Sequence, residues 1–149
     1  MRKILTLVFL FSLVVYFAPH KNAFQEEPES DLDVRINLEN EQVFIEEEFE
    51  VEIILENTSE EEQKLNFNTG QRFDIIVLGS KEEVLYRWSQ DKMFTQALGS
   101  VVLAPEEEKV YDAKIVLPTD IATGDYQIKG LITASEQIFS QAKTITVKE

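Results

Sequence analysis

A chain of 149 residues with 28 acidic and 14 basic side chains carries a formal net charge of −14, and its 44% hydrophobic content is enough for an ordinary core. It has no cysteine and a single histidine, His20, which excludes a disulfide framework, a Cys nucleophile, a Ser-His-Asp triad and metal sites built on thiolate or imidazole in the folded part. The acidity argues against nucleic acid and anionic membrane surfaces as partners and is compatible with a basic protein partner.

Met1-Arg2-Lys3 forms a short positive start, and residues 4–18 follow as an uncharged, mostly apolar run of 15. Such a run suits a secretory signal and falls short of the roughly 20 residues that span a bilayer as a helix. A cut after Ala23 would put Lys21 where a small residue belongs, and a cut after Ala18 would put Tyr16 there. Two readings stay open. Residues 1–23 are a cleaved signal peptide, or they are an uncleaved N-terminal anchor helix that meets the membrane through residues 4–18. Either one places the protein outside the cell or in the cell envelope. Residues 24–31 are acidic, contain Pro28 and lack apolar periodicity, the composition of a disordered linker. With Arg2, Lys3 and Lys21 set aside, residues 24–149 keep 11 basic residues against all 28 acidic ones, a net of −17. Residues 32–149 are the expected folded domain.

Residues 32–38 and 49–55 alternate apolar and polar with period two, which predicts half-buried strands. Asn57-Thr58-Ser59 stops the second; it matches a glycosylation sequon but reads as a turn. A short strand at 64–67 ends at Asn68-Thr69-Gly70. Two apolar runs, 73–78 and 84–89, flank Gly79-Ser80-Lys81-Glu82 and predict a β-hairpin. Further strands follow at 100–103 and 110–117, each stopped by a proline, and at 126–134 and 138–147. No window carries a helical stripe of ten or more residues. About eight to nine short strands with regular turns predict an all-β, immunoglobulin-like antiparallel β-sandwich. Thr123-Gly124-Asp125-Tyr126 adds the pattern of a tyrosine corner, in which the hydroxyl bonds back to upstream backbone. Three Glu triplets, at 46–48, 60–62 and 106–108, fall at turns or strand starts. Consecutive strand residues point to opposite faces, so a triplet is a poor chelator and reads as a solvated turn that discourages edge pairing.

Within the hairpin, Phe73, Ile75 and Val77 share one face, as do Val84, Tyr86 and Trp88 on the partner strand. These residues, with the chain's one Trp, are the expected centre of the core. Asp74 and Arg87 can face each other across the hairpin, fixing its register or touching a partner; register is the simpler reading. Gln71 and Gln96 stand at strand ends and could bond loop backbone or a partner.

The run Gly70-Gln71-x-Phe73-Asp74, then Tyr86-Arg87-Trp88-Ser89, then Phe94-x-Gln96 resembles the signature of the BsuPI family, intracellular proteinase inhibitors of bacilli and their relatives. Leu103-x-Pro105-x-Glu107, Tyr111 and Gly124-x-Tyr126-x-Ile128-x-Gly130 continue the likeness, which covers residues 33–135. It departs at Glu106, where the family usually has Gly, and at Ala113-Lys114-Ile115, where the family tends to carry a Trp. An N-terminal export signal also sits poorly with an intracellular inhibitor. The resemblance implies inhibition of a serine protease of the subtilisin type, and hence a serine protease as partner. The candidate inhibitory residues are Asp91, Lys92, Met93, Phe94, Thr95 and Gln96, with Lys92 or Met93 offered to the specificity pocket. The alternative is a non-catalytic immunoglobulin-like binding module of the cell envelope, partnered by another envelope protein. No catalytic residue, metal or cofactor is expected. Carboxylate-pair chemistry is the enzyme class left open, and abundant acids make it uninformative.

Overall fold

Period-two alternation becomes a strand wherever one face can be buried, and the burial of β3 (Glu48–Asn57) follows it residue by residue: Val51, Ile53 and Leu55 point inward between Glu50, Glu52 and Glu56. The structure, a computed structural model, describes residues 31–149. The signal or anchor helix expected at 1–23, and all of the expected linker but Asp31, lie outside the described residues.

Among the described residues, eleven strands form the fold. β3 sits between β1 (Leu32–Leu38) and β8 (Glu108–Val116) in one antiparallel sheet. The second sheet runs β2 (Gln42–Phe44), β11 (Lys143–Lys148), β9 (Gly124–Ile132), β5 (Phe73–Leu78), β6 (Val84–Arg87), with β10 (Ile138–Phe139) also on β9. β4 (Gln63–Phe67) pairs with β7 (Gly99–Leu103). Every pair is antiparallel except β2 with β11. The two larger sheets share one apolar core and make an immunoglobulin-like sandwich. Gly130 on β9 permits the close approach: a Cβ there would meet the Ile53 side chain of the opposite sheet at 3.1 Å. Among the described residues the helical content is one 3-10 turn, Trp88–Asp91.

Three local features depart from period-two reading. The strand expected at 138–147 is two, because Ser140 interrupts it. Its Oγ accepts from Gly130 N at 2.9 Å, in place of a ladder carbonyl, and the pairing with β9 slips by one residue between Phe139↔Leu131 and Lys143↔Ile128. β2 is too short for periodicity to reveal. Glu46, Glu82 and Glu106 each hold φ at 61°, the left-handed region that costs about 1–2 kcal/mol for a residue with a Cβ. Glu106 is the position where the family usually has Gly, and it adopts here a left-handed φ that glycine takes without strain.

Two polar groups fix the ends of the sandwich. The Tyr126 hydroxyl donates to Ala122 O at 2.8 Å, the geometry of a tyrosine corner. Asn57, fully buried, donates from Nδ2 to Glu61 O at 2.7 Å and to Ala104 O at 3.0 Å, and its Oδ1 accepts from Ser59 N at 3.0 Å. The sequon's asparagine is thus the internal strut of a turn.

Candidate functional site

The β5–β6 hairpin forms as its turn residues dictate: Gly79 N bonds Glu83 O at 2.9 Å and Glu82 N bonds Gly79 O at 3.0 Å. A bulge between Val77 and Leu78 leaves Arg87 opposite Ile76. Asp74, two residues back on the same face, is then diagonal to Arg87 and within its reach. Asp74 is 2% exposed. Its Oδ2 accepts from Arg87 Nη1 at 2.9 Å and Ser89 Oγ at 2.6 Å, and its Oδ1 from Ser89 N at 3.1 Å and Ile75 N at 2.9 Å. A buried carboxylate is tolerable when its lone pairs are satisfied in this way. The Asp74–Arg87 pair therefore does more than set register, because Ser89 draws the chain out of β6 into the 3-10 turn.

That turn changes the place of Trp88. Ile75 and Val77 are fully buried as expected of the core centre, but Val84 is exposed and Phe73, Tyr86 and Trp88 are only partly buried. Trp88 has left the strand and stacks on Phe73 with ring centroids 4.5 Å apart. Phe73 in turn meets Tyr111 of β8 at 5.4 Å, and Trp88 meets Phe94 at 6.2 Å. The result is a ladder, Tyr111–Phe73–Trp88–Phe94, that reaches from β8 into the segment after the 3-10 turn. Each such ring pair contributes about 0.5–1.5 kcal/mol beyond its buried area.

The segment 92–98 has no regular structure and is tied at two backbone points. Lys92 N donates to Ser89 O at 3.1 Å, and Gly70 N donates to Thr95 O at 2.7 Å. Gly70 is required for closeness, since a Cβ there would strike the Thr95 side chain. The Lys92 ammonium lies 4.6 Å from the Trp88 ring centroid and 3.6 Å from Asp91 Oδ1. Met93, between the ties, is 98% exposed. Asp91, Thr95 and Gln96 are exposed and Phe94 half-buried. Gln71 bonds backbone two residues on, its Nε2 donating to the carbonyl of Phe73 at the start of β5 at 3.0 Å. Gln96 makes one long contact, Nε2 to Phe94 O at 3.5 Å. A shallow groove of about 580 Å3, lined by Glu50, Trp88, Lys92, Asp112, Ala113 and Lys114, runs beside the loop.

Gly70, Gln71, Phe73, Asp74, Arg87, Trp88 and Ser89 thus converge on the base of this loop. Gly124 and Tyr126 do not: they begin β9, whose other end, at Ile132, pairs with Phe73. Sequence reasoning passed over Arg72. Its guanidinium sits 4.5 Å from the Phe67 ring centroid and donates to Thr69 O at 2.7 Å, and Gly99 leaves it room. No residue pattern signals that contact, which joins β4, the 69–72 bend and the start of β7. Among the described residues no group of three or more His, Cys, Asp or Glu is arranged to hold a metal ion.

The Tyr111 hydroxyl is buried with no hydrogen-bond partner. Burial pushes its pKa above the ordinary 10.0, with Arg72 drawing it slightly back. Tyr86 is raised as well, first by burial and then by Asp91 and Asp74. The folded state therefore holds protons that the unfolded chain releases at about pH 10, so stability is intact below that pH and falls as pH rises through the folded values. Tyr111→Phe is expected to lessen this alkaline loss and to be near neutral in stability at pH 7, since it removes an unsatisfied group. Urea unfolding at pH 7 and between pH 9.5 and 11 measures both; an unchanged alkaline slope would contradict the assignment to Tyr111.

No curated protein matches the chain. Among solved structures it is similar to Spo0M, a sporulation control protein from Bacillus subtilis, at 17% identity and a TM-score of 0.54, covering 80% of this chain and 50% of that one. The chain thus spans half the length of that protein, and the likeness is one of fold. A CARDB domain from Pyrococcus furiosus matches at 17% identity and a TM-score of 0.46, over 79% of this chain and 88% of that one. The model of the BsuPI family, described as intracellular proteinase inhibitor, matches residues 32–137. That description overturns the extracellular or envelope location expected from the composition of residues 1–23, because the family is described as intracellular. Matched over most of its length, the chain belongs to the BsuPI family of intracellular proteinase inhibitors.

Proposed function

We propose that the chain is a non-catalytic inhibitor of a subtilisin-type serine protease and that it acts in a substrate-like manner through residues 91–96, with Met93 entering the specificity pocket. The observation that carries this reading is the 98% exposure of Met93 between two tied backbone points in a member of an inhibitor family. A substrate-like inhibitor needs an extended segment ordered before binding, because ordering it afterwards would cost affinity. Small inhibitors often use disulfides for this; here the Trp88 stack and the Gly70–Thr95 bond serve. Lys92 is the weaker choice for the pocket, since its ammonium is engaged by Trp88 and Asp91. An unbranched apolar side chain such as Met93 suits a hydrophobic slot. Cleavage after Met93 would leave both new ends tethered, one through Ser89 and the other through Gly70, so the products would be held for religation. The net charge of −14 favours a target with a basic surface around its cleft.

The test is stoichiometric inhibition of a subtilisin by the full chain. Met93→Gly is expected to weaken it on the order of 30-fold, the loss of a 2 kcal/mol hot spot. Lys92→Gly should cost only about two- to fivefold, through looser packing on Trp88. Unchanged potency in Met93→Gly with an intact fold sinks the loop assignment. Simple degradation of the unsubstituted chain, or indifference of the subtilisin to it, would favour a binding module instead.

A further inference from the structure

Met93 is the one methionine among the described residues, and the chain has no cysteine to compete for an oxidant. At 98% exposure its thioether is open to solvent, while Trp88, the other oxidisable side chain of the loop, is partly buried among Phe73, Phe94 and Lys92. Susceptibility follows exposure. The backbone on either side is tied, so the sulfur is held outward without being packed against anything.

We propose that Met93 is a reversible modification site, a peroxide-sensitive thioether whose sulfoxide form weakens the grip of the loop on an apolar pocket. The second half rests on the inhibitor reading above. In the step, the sulfur loses two electrons to a peroxide, the O–O bond breaks, one oxygen bonds to sulfur and the other leaves as water. A flexible apolar side chain becomes a polar one with a strong acceptor oxygen. The neighbouring Lys92 ammonium is already turned toward Trp88 and Asp91. Buried in a hydrophobic slot, an unsatisfied acceptor lowers affinity on the order of tenfold to a hundredfold. In the free protein the same oxygen points to water, so the fold is untouched. A methionine sulfoxide reductase reverses the change.

The experiment treats the full chain with hydrogen peroxide beside free methionine. Oxygen addition is followed by mass in the tryptic peptide covering residues 93–109, together with melting temperature and inhibition of a subtilisin. Oxidation of Met93 within about threefold of the free-methionine rate is expected. Melting should not change, inhibition should drop by tenfold or more, and reductase should restore it. In Met93→Leu the ratio of treated to untreated potency should stay near one, whatever its starting level, which separates Met93 from damage at Trp88. Oxidation more than tenfold slower than free methionine, or full potency in the sulfoxide form, overturns the proposal. If the untreated chain does not inhibit at all, the inhibitor reading fails, and the modification site then stands or falls on peptide mass and rate.

Discussion

Asp74→Ala is expected to lower the unfolding free energy by about 3 kcal/mol. The carboxylate is 2% exposed and receives four donors: Arg87 Nη1, Ser89 Oγ, Ser89 N and Ile75 N. Alanine leaves those donors unsatisfied inside the hairpin, and hydrogen bonds to charged groups contribute about 1.5–3 kcal/mol each without being additive. Arg87→Ala removes one donor whose side chain is 42% exposed, and should cost about 1 kcal/mol or less. The comparison matters because it separates an ion pair from a hub. Urea midpoints at constant slope measure it. Equal losses in the two variants would mean that the Ser89 and Ile75 bonds contribute nothing. Loop function should fail with Asp74 too, because Ser89 is where the loop departs from β6.

Trp88→Ala is the second large effect, about 2–3 kcal/mol in stability and a larger proportional loss of inhibition. Full burial would put the stability cost at 3–5 kcal/mol, and the partial burial of Trp88 reduces it. The indole joins Phe73, Phe94 and Lys92, so its removal frees the loop from the sandwich at once on three sides. Trp88→Phe should keep most of the stability while lengthening the reach to Phe94. Hydrogen exchange at the Gly70 amide, whose acceptor is Thr95 O, reports the loop directly. Protection there should fall in Trp88→Ala; if it does not, the ladder is packing and not a brace.

Much of this fold is legible in local pattern. β1, β3 and β8 announce themselves because each buries one face and wets the other, and Gly79 with its polar neighbours marks the hairpin turn. β2 is not legible: its three residues exist as a strand through parallel pairing with β11, about a hundred positions away in the chain. Trp88 departs from its sequence pattern for a related reason. Period two carries it onto the face of Tyr86, and nothing nearby says that the strand stops at Arg87. The stop is tertiary, made by Asp74 taking both Ser89 donors. The loop site was half visible. The family-like runs bracket residues 91–96, yet the bond from Gly70 to Thr95 and the stacking of Phe73 on Trp88 join residues far apart in sequence. Glu106 shows the converse: a sequence position that departs from the family's residue proves to be a left-handed glutamate.

The tie between Gly70 and Thr95 is one hydrogen bond backed by one aromatic stack, whereas the sheets behind it share a core of many fully buried aliphatic side chains. Two such unequal assemblies are expected to open at different free energies. The loop opens and recloses at its own free energy, well below that of global unfolding. Warming is therefore expected to open the loop while the β-sheets remain whole, and under the inhibitor reading the hold on a protease would fail with the Trp88 stack before the core gives way.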